Sequence, residues 1–92
     1  MKDAFHGRSI IVTGASRGIG RGIARNFASR GGKVMLAARS EADLEAAIGE
    51  ITAAGGTARG MACDVGDWAS VQRLVAETAR EFGGVDVICA NA

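Results

Sequence analysis

Three times in 92 residues a stretch of helical periodicity stops at a glycine pair, and an apolar or β-branched run follows. The pairs are Gly31-Gly32, Gly55-Gly56 and Gly83-Gly84, and each supplies the left-handed backbone that terminates a helix. Their uneven spacing marks punctuation and not a sequence repeat. Ser9–Thr13 predicts a buried strand. A helix is expected from Gly18 to about Arg30, with Ile19, Ile23, Ala24, Phe27 and Ala28 on one face. Lys33–Ala38 is the second strand. Glu41–Ala54 is the second helix, with Ser40 as N-cap, Asp43 at the capping-box position, and Leu44, Ala47, Ile48 and Ile51 as its apolar stripe. Thr57–Cys63 is the third strand, interrupted by Arg59 and Gly60. Asp67 caps the third helix, whose stripe is Val71, Leu74, Val75, Ala79 and Phe82, and Val85–Ala90 is the fourth strand.

The order β-α-β-α-β-α-β implies an α/β fold: a parallel sheet with right-handed crossovers. The expected strand order is 3-2-1-4, with the topological switch beside the first strand. Residues 1–92 read as one domain. Apolar residues make up 48% of the chain, enough for a core, although a domain this short hides only roughly 60–65% of its unfolded surface.

No apolar run approaches the ~20 residues of a membrane span, and MKDAFHGRS lacks the apolar core of a secretory signal. Cys63 and Cys89 form no CxxC pair and read as two buried, reduced thiols of a cytoplasmic protein. The lone His6 offers no zinc constellation. Net charge is only +1, yet residues 4–40 carry seven positive charges and no acid, whereas residues 41–92 carry nine acids against three arginines. Such asymmetry suits an anionic ligand on the basic half. Nucleic acid fits poorly, because the basic residues lack an aromatic stacking platform and tyrosine is absent.

The most informative stretch is TGASRGIG, Thr13 to Gly20, directly after the first strand. One glycine there permits a tight turn, a second lets backbone approach a pyrophosphate, and a third lets helix and strand pack closely. The amides of Gly18, Ile19 and Gly20 then open a helix N-terminus toward the phosphates. The spacing of Gly14, Gly18 and Gly20 is G-x-x-x-G-x-G. That differs both from G-x-G-x-x-G and from the lysine-containing mononucleotide loop.

TGASRGIG resembles the signature TGxxxGxG of the short-chain dehydrogenase/reductase family, and the resemblance runs through the whole chain. Asp64-Val65 resembles the family's D-V pair after the third strand, which implies an adenine contact from the Asp64 side chain and from the Val65 backbone. ICANA, Ile88 to Ala92, resembles the start of the family's NNAG motif, with Asn91 at its second position and Ala90 replacing the first asparagine. The resemblance implies a Rossmann-type doubly wound sheet that binds a nicotinamide dinucleotide. Within the family, TGASRGIGRGIA is most similar to 3-oxoacyl-carrier-protein reductases and their relatives.

An NAD-binding sheet usually ends its second strand with an acid for the ribose 2′-hydroxyl. Here Ala38 occupies that position and Arg39 follows, while Arg17 lies within the glycine turn. Two guanidinium forks on one 2′-phosphate predict NADP(H) as the preferred cofactor, with NAD(H) as the alternative. Ser16 serves either the loop or a phosphate. Asp64 serves either adenine or the turn before Gly66. Arg21 and Arg25 are expected on a solvated face, and Trp68 is expected to pack on the first turn of the third helix.

Family members pass a hydride between nicotinamide and a carbonyl or alcohol, using a tyrosine, a lysine four residues later and a serine. This chain has no tyrosine, and neither Lys2 nor Lys33 stands in a Y-x-x-x-K context. The expectation is therefore the cofactor half of a longer NADP(H)-dependent oxidoreductase, truncated before its catalytic residues. The alternatives are a non-catalytic dinucleotide-binding module and an inactive fragment. By resemblance the full enzyme acts on a small carbonyl or alcohol, possesses no membrane or nucleic-acid partner, and assembles as a homo-oligomer, typically a tetramer.

Overall fold

The computed structural model describes residues 4–91, so Ala92 of the ICANA stretch lies outside the described residues. Seven elements follow in order: β1 (Ser9–Thr13), α1 (Gly18–Ser29), β2 (Lys33–Ala38), α2 (Glu41–Ala53), β3 (Thr57–Ala62), α3 (Trp68–Phe82) and β4 (Val87–Cys89). The four strands form one parallel sheet in the order β3-β2-β1-β4. The expected topology therefore holds, with helix and strand ends shifted by one or two residues.

Period-two alternation divides the sheet into two cores. Ile10, Val12, Val34 and Leu36 face α1 and α2, where Ala24, Ala28, Leu44, Ala47 and Ile51 complete the first cluster. Ile11, Met35 and Ala37 face α3, where Leu74 and Cys63 complete the second. β1 and β2 are buried almost throughout, which explains their continuous apolar sequence. Each large aliphatic side chain fully buried here contributes about 1.5–3 kcal/mol. The first glycine of each pair, at 31, 55 and 83, takes φ between +84° and +91°, as a helix terminator requires.

Several expectations are corrected. The buried stripe of α1 is Gly20, Ala24 and Ala28, with Ile23 and Phe27 beside it. Ile19 is 76% exposed: it lies on the first turn beside the Gly20–Ala24–Ala28 stripe and joins neither core. Trp68 is likewise 72% exposed at the start of α3 and packs into neither core. On α3 the buried positions are Ser70, Leu74 and Thr78, whereas Val75 and Ala79 are exposed. The two hydroxyls are buried because both are paired: Thr78 Oγ1 donates to the Leu74 carbonyl at 2.7 Å, and Ser70 Oγ accepts from the Asp64 amide at 3.1 Å.

β4 is shorter than expected. Its entry is pinned by Asp86, whose carboxylate accepts from the Ser9 amide at 2.8 Å. Cys63 is buried but Cys89 is only half-buried, and the two free thiols pack against different cores. Arg21 and Arg25 are not simply solvated. Both donate to the Glu50 carboxylate and tie α1 to α2.

Candidate functional site

All four strands point their carboxyl ends to one edge of the sheet, and the motifs of the sequence gather there. β1 runs into Gly14, whose φ is +61°. A side chain on Gly14 would strike the Asn91 carbonyl, and one on Gly20 would strike the Gly14 carbonyl. These two glycines are thus demanded by close packing between the β1 turn, the start of α1 and the end of β4. Gly18 is different: its φ is also +61°, but nothing lies within 4 Å of where a Cβ would be, so its backbone faces open space. The trio splits into two packing glycines and one that leaves backbone bare.

Asn91 closes the β1–β4 side. Its amide donates to Thr13 Oγ1 at 3.0 Å, and its side chain donates to the Gly14 carbonyl at 3.4 Å. Replacement of the preceding asparagine by Ala90 leaves this clasp in place. Thr13 was legible in the sequence only as the last strand residue. Its role as an acceptor emerges from the β1–β4 pairing. The neighbouring Ala15 amide donates to the Ala37 carbonyl at 3.2 Å, which fixes the turn to β2 as well.

The N-terminus of α1 has the most telling chemistry. Arg17 occupies the N-cap with extended backbone, makes no side-chain cap hydrogen bond, and is followed by no acid in the first turn. The other two helices are capped: Ser40 Oγ accepts from the Asp43 amide at 3.3 Å, and Asp67 accepts from the Ala69 amide at 3.3 Å. The first-turn amides of α1 therefore keep the partial positive charge that caps neutralise elsewhere.

Beside this terminus lies an open cleft of about 380 Å³. Gly14, Ser16 and Arg17 line it from the β1 turn, and Arg39 and Ser40 from the β2 end. Val65 and Asn91 border it from the β3 and β4 ends. Gly18, Ile19, Gly20 and Asp64 adjoin the same edge of the sheet without lining this cleft. Arg17 and Arg39 flank it with side chains 83% and 82% exposed. Each stands 3.5 Å from a carboxylate, Arg17 from Asp43 and Arg39 from Asp64. Asp64 also accepts from the Gly66 amide at 2.9 Å, so it serves the turn after β3. Ser40 and Asp43 are cleft residues that sequence patterning assigned only to helix capping. In Asp43 the carboxylate turns to Arg17, so only the Ser40 half of the expected capping box forms.

A sequence model of the short chain dehydrogenase family matches residues 8–92. The chain belongs to that family. It is 43% identical over 88 residues to the 3-oxoacyl-[acyl-carrier-protein] reductase FabG of Escherichia coli K12, an alignment covering 96% of this chain and 35% of that protein. Among solved structures, the citronellol catabolism dehydrogenase AtuB of Pseudomonas aeruginosa PAO1 superposes with a TM-score of 0.92 at 38% identity, over 96% of this chain and 37% of that one. A metagenomic short-chain oxidoreductase in complex with NADP superposes with a TM-score of 0.87 at 40% identity, over 91% and 38%. The chain thus spans about a third of the length of these relatives. Among the described residues, no helix is long and apolar enough to cross a membrane.

Proposed function

We propose that these 92 residues form the dinucleotide-binding part of an NADP(H)-dependent short-chain oxidoreductase. The observation that carries the reading is the uncapped N-terminus of α1 beside a cleft flanked by Arg17 and Arg39. Bare backbone at Gly18 admits a phosphate, and the first-turn amides of Gly18, Ile19 and Gly20 would hold the pyrophosphate. Arg17 and Arg39, with the Ser40 hydroxyl between the β2 end and α2, would hold the 2′-phosphate. Ser16 lines the same cleft and would donate to a phosphate oxygen. Asp64 and the Val65 backbone would meet the adenine, and Asn91 holds the floor of the turn. No acid stands at Ala38 to select an unphosphorylated ribose.

The bound nicotinamide would exchange a hydride with a carbonyl or alcohol substrate. A 3-oxoacyl thioester is the candidate that similarity to the E. coli reductase suggests. The chain contains no tyrosine, so this reading assigns to it cofactor binding and not proton transfer. The proposal extends to a homo-oligomeric, cytoplasmic enzyme, as the family likeness suggests. Calorimetric titration with NADPH and NADH tests it. Tighter binding of NADPH is expected, and equal affinities would refute the arginine assignment.

A further inference from the structure

Asp43 stands where the proposed ligand least needs an anion. It occupies the third position of α2, its amide is used by the Ser40 cap, and its carboxylate lies 3.5 Å from Arg17 on the lining of the cleft. The helix does not require that placement, because Ser40 already caps it and Glu41 supplies first-turn negative charge. Nor does the fold gain much: Arg17 and Asp43 are 83% and 43% exposed, and an exposed pair at that separation is weak and exchanges readily.

We propose that Asp43 is a specificity-determining residue, a counter-charge that moderates how strongly this cleft favours a phosphorylated ribose over an unphosphorylated one. The inference rests on the reading of Arg17 and Arg39 as 2′-phosphate ligands. A 2′-phosphate entering between them brings up to about two negative charges into a cleft that already holds one. It must displace the Asp43 carboxylate from Arg17 and then bear its repulsion. A ribose 2′-hydroxyl meets neither cost, and Asp43 is an acceptor on the same lining. The acid missing from the end of β2 is thus partly replaced, in space, by one from the first turn of α2.

The test compares NADP+ and NAD+ binding to the 92-residue chain by calorimetry at low ionic strength. The wild type, Asp43→Asn and Glu41→Gln are titrated side by side. Glu41→Gln removes the same charge from the same helical turn, but Glu41 borders the groove with Leu44 and Ile48 beside β3, not the cleft. Asp43→Asn is expected to raise the ratio of NADP+ to NAD+ affinity roughly three- to tenfold, less at high salt. Glu41→Gln should leave the ratio within about twofold. An unchanged ratio in Asp43→Asn, or an equal rise in Glu41→Gln, overturns the assignment of Asp43. A wild-type ratio at or below one instead overturns the arginine reading, and the assignment of Asp43 falls with it. A chain that binds neither nucleotide overturns both.

Discussion

Gly20 and Gly22 sit two residues apart on α1 in opposite surroundings. A Cβ at position 20 meets the Gly14 carbonyl and the Asn91 side chain, whereas one at 22 meets nothing within 4 Å. Gly20→Ala is expected to destabilise the chain by about 1–3 kcal/mol, because backbone must shift to admit the methyl group. Gly22→Ala is expected to stabilise it by about 0.5–1 kcal/mol through helix propensity. Urea denaturation of the two variants checks both signs. Ser9 offers a second residue-level case. Its hydroxyl is buried at the start of β1 without a hydrogen-bond partner among the described residues. A buried hydroxyl without a partner carries a desolvation cost, so Ser9→Ala should be neutral or stabilising by up to about 1 kcal/mol in the same assay. The sequence marks the glycines as special, but only the packed turn separates those that admit a methyl group from those that do not.

Among the elements, α1 and α2 are joined by an ion-pair cluster that helical periodicity had left to solvent. Hydrogen bonds from Arg25 and then Arg21 hold the Glu50 carboxyl below its ordinary value. A carboxyl depressed in the folded state contributes stability above its unfolded pKa, and that contribution is lost as the pH falls through the folded pKa. The Glu50 carbon resonance followed by NMR should therefore titrate below the normal glutamate range. Arg25→Ala should move that midpoint upward, and an unmoved midpoint would count against the pairing. α3 shows the opposite lesson about stripes. Its Val75 lies exposed because no second helix among the described residues covers that side of the sheet, while Thr78 is buried because its hydroxyl returns to the Leu74 carbonyl. Periodicity identifies an apolar face, but which part of it is covered depends on the neighbouring elements.

At the scale of the whole molecule, the candidate site belongs to no single element: its residues come from the ends of all four strands and the starts of α1 and α2. A nucleotide held there links the β1 turn to the β2, β3 and β4 ends, so it should stabilise the chain as a unit. At a free concentration of about one hundred times its Kd, NADPH should add about 2.7 kcal/mol and raise the midpoint of a single thermal transition. A transition that ignores the ligand would show that the cleft does not bind it. Strand order, the glycine turn and the family were all legible in the sequence. Alternation of buried β-branched runs with glycine-terminated helices leaves few topologies, and local backbone geometry dictates where bare glycines stand. The sequence by itself thus determined the fold and which edge of the sheet carries the candidate site. Only the tertiary structure decided that Ile19 and Trp68 stay in solvent, that Arg21 and Arg25 share Glu50, and that Asp43 lines the cleft with Arg17. Those outcomes depend on distances between residues up to 29 positions apart in the chain. Such distances are set by how the helices settle on the sheet and not by any local pattern.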